Sequence, residues 1–208
     1  MIAEIFAALI FSVALTFIGS LWIDKLYRNC ADLSFPEEIA AREQNRRPIL
    51  FCAFTIFLTY IFESYTLPQN FFMIAAIFLL VLMTVTDFEQ YMLFDAMTLP
   101  LAVIGVIFVW QMNLNPVDHA IAAAGSGGIF LLLALLSKGA LGGGDVKLIA
   151  ALGIWLGCEK IISAVLVATV VGGLSALLLI ALKKKTRDSY FAYGPYFTVA
   201  AIYFLLFG

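Results

Sequence analysis

The sequence predicts an all-α integral membrane protein, built as a polytopic bundle of about eight transmembrane helices. Of its 208 residues, 63% are hydrophobic and only 12% are charged, whereas soluble domains are about 45–50% apolar and about 25% charged. The apolar residues form runs that approach the ~20 residues a helix needs to cross a bilayer. No repeat or low-complexity tract divides the chain, so we expect a single membrane-embedded domain over residues 1–208.

The predicted helices follow one another with short links, apart from one sizeable polar segment at about residues 24–48. Only Glu4 and no basic residue precedes the first run, which therefore lacks the charged start of a cleavable signal peptide. We expect that helix to be retained. Asp95 or Thr98 is expected to cap the fourth helix. The predicted spans are residues 5–23, 49–65, 71–86, 95–112, 119–136, 145–157, 161–182 and 193–207.

Several classes of partner and cofactor are disfavoured by the polar residues. The formal net charge is -2 and no basic patch lies outside the loops, so we expect no nucleic-acid partner. The three cysteines have no CxxC spacing, and neither a metal site nor a disulfide framework is predicted. The single histidine, His119, stands beside Asp118 at a predicted loop-to-helix junction. A structural role is favoured for it, with catalysis or metal binding as the alternative.

Small residues are concentrated in two of the predicted helices. Residues 122–128 read Ala-Ala-Ala-Gly-Ser-Gly-Gly, and Gly153 and Gly157 have GxxxG spacing. Small side chains let transmembrane helices pack closely, so helix packing is the favoured interpretation of both patterns. A surface on which a substrate helix docks is the alternative for the first.

Basic residues predict the orientation, because lysine and arginine concentrate in cytoplasmic loops. With the N-terminus and C-terminus on the outer side, 11 of the 12 lysines and arginines fall on the cytoplasmic side and only Lys160 falls outside. Asp87, Asp95 and Asp145 then all lie at the cytoplasmic face.

Two of these acids stand out as functional candidates. A glycine-rich run over residues 139–144 delivers Asp145 to the first turn of a helix, and Asp87 closes an apolar run upstream. An ionisable residue in a membrane helix is costly and therefore indicates a function. Lys147 lies two residues after Asp145, so on a helix it points elsewhere. A solvated position and the binding of a substrate acid are equally compatible with Lys147.

Two neighbouring aspartates are suited to peptide hydrolysis. One ionised carboxylate accepts a proton from water while its protonated partner polarises the carbonyl, and such a pair shares one proton. The sequence has no Gly-x-Ser-x-Gly, His-Glu-x-x-His or phosphate-binding loop. Ion and proton transporters also keep acids near helix ends. The residues alone therefore leave a protease and a proton-coupled transporter open.

Several segments, in order, resemble the type IV prepilin peptidases. Gly-Gly-Gly-Asp-Val-Lys at residues 142–147 resembles the Gly-x-Gly-Asp motif of that family, and residues 148–157 resemble the segment that follows it. Residues 86–100 resemble the family's other aspartate segment, and Tyr-Gly-Pro at 193–195 is also similar. The similarity runs from about residue 81 to the C-terminus.

This resemblance implies a hydrolase of the bacterial cytoplasmic (inner) membrane. It implies that the protein removes the leader from type IV prepilins or type II secretion pseudopilins, whose apolar N-terminal helix lies in the lipid bilayer. The implied catalytic pair is Asp87 and Asp145, and the peptidase reaction needs no cofactor. The implied residues for substrate binding or structural support are Gly142, Gly144, Lys147 and Asp95.

The sequence departs from the family at two places. Phe94 stands where family members usually have proline, which favours a role as a helix cap for Asp95. Bifunctional members carry a long cytoplasmic loop, often with paired CxxC motifs, tied to N-methylation by S-adenosylmethionine. Here the loop is short and contains only Cys30. We therefore expect a peptidase, with S-adenosylmethionine as a cofactor only if the chain is bifunctional.

A second group of membrane proteases, the presenilins and signal peptide peptidases, shares Gly-x-Gly-Asp. Members of that group resemble one another in a Tyr-Asp and a Pro-Ala-Leu element, whereas this chain has Thr86 before Asp87 and no Pro-Ala-Leu. A signal-peptide-peptidase-like protease is therefore the less favoured alternative. The particular pilin, the pathway and the oligomeric state are left open by the sequence.

Overall fold

A computed structural model of the chain describes residues 2–31, 33–35, 37, 39–136, 141–182 and 191–208. Those residues form helices and connecting segments, without a strand. The all-α class predicted from the sequence is therefore confirmed for the described part of the chain. Its helices are α1 (Ile2–Asn29), α2 (Ile39–Ser64), α3 (Gln69–Gln90), α4 (Asp95–Gln111), α5 (Pro116–Leu136), α6 (Gly143–Ala181) and α7 (Gly194–Leu206).

Five of these helices are long and apolar enough to cross a membrane, namely α1, α2, α3, α5 and α6. The apolar helices α4 and α7 are shorter, with 17 and 13 residues. The predicted membrane protein with transmembrane helices is thus supported by both length and composition. Five basic residues used for the predicted orientation lie outside the described residues: Lys138, Lys183, Lys184, Lys185 and Arg187.

The chain forms two compact units, residues 1–92 and 93–208. The first unit contains α1, α2 and α3, and the second contains α4 to α7. A single domain over residues 1–208 stays a prediction.

The predicted sixth and seventh helices lie in one element, α6, which extends from Gly143 to Ala181 over 39 residues and has a break at the predicted end of the sixth helix. A straight helix of that length would be about 58 Å long, nearly twice the ~30 Å hydrocarbon thickness of a bilayer. At Gly157 the backbone has φ 70° and ψ 178°, so a non-helical residue interrupts the element. The chain bends there and does not form the loop predicted between the two spans, at Glu159 and Lys160.

The first turn of α5 supplies hydrogen bonds to both sides of this break. The Asp118 carboxylate accepts a hydrogen bond from the backbone N–H of Cys158 (3.1 Å), where the second part of α6 begins. His119 Nδ1 donates to the carbonyl of Ile154 (2.7 Å), near the end of the first part. Helix ends leave backbone groups without partners inside the helix. Asp118 and His119 satisfy such groups, and the structural role predicted for His119 is confirmed.

The polar segment predicted at about residues 24–48 is largely helical. Helix α1 continues to Asn29, and α2 begins at Ile39 with Pro48 inside it. The predicted loop is therefore shorter than expected, because helices cover residues 24–29 and 39–48. Arg46, within this segment, is buried, with 1% of its surface exposed.

The predicted cap of α4 is also wrong. The N-cap residue is Phe94, and no side chain caps that end of the helix. Thr98 Oγ1 donates to the carbonyl of Phe94 (3.2 Å), the bond that a hydroxyl makes to the preceding turn of its own helix. Asp95 has another partner, which is described below.

Close packing by small residues is confirmed in the second unit, where α5 lies against α6. A Cβ placed on Gly153 would lie 2.6 Å from both N and Cα of Ala123. A Cβ on Gly127 would lie 2.8 Å from the Cβ of Ala150. The two helices therefore approach at a distance that only glycine permits at these positions. Gly125, in contrast, has open space around its Cβ position.

We predict opposite effects of alanine at two of these glycines. Gly153→Ala would place a methyl group against the α5 backbone, and overpacking of this kind costs about 1–3 kcal/mol. Gly125→Ala is the matched control, where the lower chain entropy of alanine stabilises a helix by about 0.5–1 kcal/mol. Thermal unfolding in detergent measures both variants. Equal stability of the two would contradict the close approach of α5 and α6.

Candidate active site

The glycine run places Asp145 in the first turn of α6, as predicted. The helix starts at Gly143, after the extended N-cap residue Gly142 (φ -69°, ψ 142°). The carbonyl of Gly142 accepts hydrogen bonds from the N–H groups of Asp145 (3.1 Å) and Val146 (3.4 Å). The half-buried Asp145 carboxylate folds back on this turn, with Oδ2 3.1 Å from where a Cβ of Gly142 would stand. Gly142 therefore starts the helix and leaves room for the acid; Gly139 and Ala140 lie outside the described residues.

Gly144 supports the same turn by a close contact. A Cβ at Gly144 would lie 3.0 Å from Leu93 Cβ and 3.5 Å from Leu93 O. The first turn of α6 and the segment before α4 therefore touch at the residue just before Asp145. Gly143 has open space at its Cβ position, so the close contact is specific to Gly144. This observation supports the structural role that was predicted for Gly144.

Lys147 and Asp95, both predicted as supporting residues, form an ion pair. Lys147 Nζ lies 2.8 Å from Asp95 Oδ1 and 2.7 Å from Oδ2, and connects the first turns of α6 and α4. Their side chains are 57% and 56% exposed. Asp95 is therefore the partner of a lysine that lies 52 residues away, and the pair is accessible to water. Substrate binding by either residue stays a prediction.

Asp87 lies one turn from the end of α3, in the first unit. The third helix was predicted to stop at residue 86, but it continues to Gln90. The carbonyl of Asp87 accepts a hydrogen bond from the N–H of Tyr91 (2.9 Å), which ends the helix in a left-handed conformation (φ 52°, ψ 38°). The side chain is buried, with Asp87 5% exposed. Asp145 belongs to the second unit, and its pairing with Asp87 stays a prediction.

A buried charged cluster on the last turn of α3 was missed by the sequence analysis. Arg46 of α2 pairs with Glu89 of α3 (2.8 Å) and with Asp24 of α1. Tyr27 Oη also donates to Glu89 Oε2 (2.9 Å). The sequence did contain a signal for this cluster, namely its charged residues. Unpaired charges are costly inside apolar helices, so they indicate a buried partner. Assigning residues 24–48 to a loop concealed it.

The described residues contain no group of three or more histidine, cysteine or acidic side chains able to hold a metal ion. Each unit therefore carries one candidate aspartate with its own supporting residues, Asp87 on α3 and Asp145 on α6. Together with the apolar helices, these features describe a membrane protein with an acid near a helix end in each unit.

Comparison with known proteins identifies the family. The model of the type IV leader peptidase family matches residues 73–177, which include Asp87, Asp95, Asp145 and Lys147. The chain belongs to this family. The resemblance found in the sequence is thereby confirmed.

Curated relatives agree with that assignment. The chain is 36% identical over 127 residues to a prepilin leader peptidase/N-methyltransferase of Neisseria gonorrhoeae, covering 58% of this chain and 43% of the relative. It is 35% identical over 132 residues to the protein of that name from Pectobacterium carotovorum subsp. carotovorum, covering 61% and 47%. It is 27% identical over 146 residues to the protein of that name from Legionella pneumophila, covering 67% of this chain and 51% of the relative. The chain spans about half the length of these curated relatives, and no solved structure was found to match it.

The exposed ion pair yields a prediction about stability. Because Lys147 and Asp95 are both more than half exposed, we expect a coupling free energy of about 0.2–1 kcal/mol. A double-mutant cycle with Asp95→Asn and Lys147→Gln, followed by thermal unfolding in detergent, measures it. The coupling should fall as salt is added, because exposed charges are screened. A larger coupling that salt leaves unchanged would contradict the exposed pair.

Proposed function

We propose that the chain is an aspartic endopeptidase that cleaves the leader from type IV prepilins or type II secretion pseudopilins. The observation that carries the proposal is the family match over residues 73–177, which contains both Asp87 and Asp145. The apolar helices agree with a site that works at the membrane surface on a substrate with an apolar N-terminal helix. Neither alternative, the proton-coupled transporter or the signal-peptide-peptidase-like protease, is supported by the family match.

In the proposed reaction, one of the two aspartates is ionised and the other is protonated. The ionised carboxylate takes a proton from water, and the resulting nucleophile attacks the carbonyl carbon at the end of the leader. The protonated carboxyl donates a hydrogen bond to the carbonyl oxygen, where negative charge develops. Collapse of the tetrahedral intermediate breaks the C–N bond, and the departing amine takes up a proton from the acid pair.

The proposed location is the bacterial cytoplasmic membrane, with both termini on the outer side. In that orientation the ends of α3 and α6 that carry Asp87 and Asp145 face the cytoplasm. Prepilin leaders would therefore be cut on the side of the membrane where they are synthesised. Lys147 and Asp95 pair with each other beside the first turn of α6, where both side chains are more than half exposed.

We expect Asp87→Asn and Asp145→Asn each to abolish leader cleavage, because an asparagine amide can neither accept a proton from the attacking water nor supply one to the departing amine. General acid–base groups contribute on the order of 100- to 10,000-fold to rate, so the product should fall below detection on a gel. The assay is co-expression with a type IV prepilin, scoring the loss of the leader. Asp95→Asn, the matched control, is expected to retain most of the activity because its carboxylate is exposed.

Substantial cleavage by either variant at Asp87 or Asp145 would refute the catalytic pair. Size-exclusion chromatography of each variant in detergent tests whether the inactive proteins still insert and fold. Complete loss of activity in Asp95→Asn with normal expression would instead place Asp95 in the reaction.

We also expect the chain to methylate its product poorly or not at all. The relatives are named for both activities, but residues 30–38 between α1 and α2 provide one cysteine, Cys30, and no CxxC pair. Phe35 in this segment is hydrogen-bonded through its backbone to Gln90 of α3. The segment lacks the paired CxxC motifs that the resemblance associates with S-adenosylmethionine. Mass spectrometry of the product's N-terminus after incubation with S-adenosylmethionine tests this expectation, and an N-methylated product would overturn it.

A further inference from the structure

The last turn of α3, residues 88–90, is held at each of its residues. The final carbonyls of a helix have no partner within it, and here Arg42 Nη1 donates to the carbonyls of Phe88 (3.1 Å) and Glu89. Gln90 exchanges two hydrogen bonds with the backbone of Phe35, which donates to Oε1 (2.8 Å) and accepts from Nε2 (3.0 Å). This turn begins directly after Asp87.

The strongest attachment in this turn is the side chain of Glu89. Arg46 donates to Glu89 Oε1 from Nε (2.9 Å) and to Oε2 from Nη2 (2.8 Å), which is a bidentate contact. The remaining nitrogen, Nη1, donates to Asp24 of α1. The guanidinium also lies 5.3 Å from the ring centroid of Tyr27, whose hydroxyl donates to Glu89. One buried cation therefore connects α1, α2 and α3.

Stability alone does not account for this arrangement. A buried ion pair can often be replaced by apolar residues of similar volume with no loss of stability, because removing charges from water is costly. The cluster places Arg46, Asp24 and Glu89 in the interior, and it differs from an apolar contact because its hydrogen bonds are directional. A planar guanidinium that donates to both oxygens of a carboxylate fixes the rotation and the height of the helix turn that bears this carboxylate.

We propose that Arg46 is a positioning residue that, by holding the last turn of α3, fixes Asp87 for catalysis. Glu89 is the contact through which it acts, since Glu89 lies two residues beyond Asp87 on the same helix. The proposal rests on the proposed peptidase function of Asp87. Catalytic groups must be held closely, because a misplacement of about 1 Å can lower a rate on the order of 100-fold.

The test compares Arg46→Lys with Arg47→Lys. Lysine keeps the positive charge but cannot form the bidentate fork. Arg47 is the matched control, because its side chain is 50% exposed and its partners are Glu43 (4.0 Å) and the ring of Phe17 (5.7 Å), neither of which is on α3. Both proteins are purified in detergent, and the folded fraction is quantified by size-exclusion chromatography before cleavage of a type IV prepilin is measured.

For Arg46→Lys we expect kcat per folded molecule to fall about 10- to 100-fold, while KM stays within about twofold because the substrate contacts are unchanged. The pH profile of kcat should also shift, since the surroundings of Asp87 change. Arg47→Lys should match the wild type in all three. A kcat per folded molecule and a pH profile like those of the wild type would show that Arg46 is only structural.

A milder variant keeps the test decisive if Arg46→Lys does not fold. Tyr27→Phe removes one hydrogen bond to Glu89 and retains the ring over which Arg46 lies. We expect it to fold and to lose severalfold in kcat per folded molecule, as a single buried hydrogen bond to a charged group contributes measurably. An unchanged kcat in this variant would overturn the proposal.

A second measurement does not depend on cleavage. Asp87→Cys is labelled with a small maleimide in the Arg46 and Arg46→Lys backgrounds, and mass spectrometry reads only the peptide containing position 87. Because Asp87 is 5% exposed, labelling should be slow and should rise about tenfold when local opening becomes easier. Equal labelling rates would overturn the positioning role. If the wild type cleaves no prepilin while labelling still rises, the proposed function fails and the attachment of the α3 turn stands.

Discussion

The buried positive charge of Arg46 is the constraint on which the first unit depends. A guanidinium inside an apolar unit must be paired, because an isolated buried charge costs several kcal/mol. Asp24 and Glu89 meet that requirement from two different helices, and Tyr27 completes the hydrogen bonds to Glu89. The relative positions of α1, α2 and α3 are thereby fixed by one side chain. Asp87 lies two residues before Glu89 on the helix that these contacts hold.

In the second unit the corresponding constraint is the break in α6. An element of 39 residues does not fit a bilayer as one straight helix, and Gly157 divides it. The polar groups exposed by the break are satisfied by Asp118 and His119 from the first turn of α5. Close packing at Gly153 then holds the part of α6 that carries Asp145 against α5. Each candidate catalytic acid therefore lies on a helix whose position is set elsewhere in its own unit.

Local patterns in the sequence predicted much of this organisation. The apolar runs indicated the helices, the glycine run indicated the start of α6, and the small residues indicated the packing of α5 on α6. The errors share a physical cause, which is pairing between distant residues. Arg46 was assigned to a loop because its partner Glu89 is 43 residues away. Asp95 was interpreted as a cap from its position at the start of α4, and its partner Lys147, 52 residues away, could not be seen in the local pattern.

The sequence order of the cluster has a consequence for membrane insertion. Chains are synthesised from the N-terminus, and N-terminal segments fold first. Asp24 is therefore synthesised before Arg46, and Arg46 has an acidic partner available when α2 is made. Glu89 is synthesised last, with α3, and completes the pairing. Because an acid precedes the cation along the chain, Arg46 has a possible partner from the moment it is made, before α3 is complete.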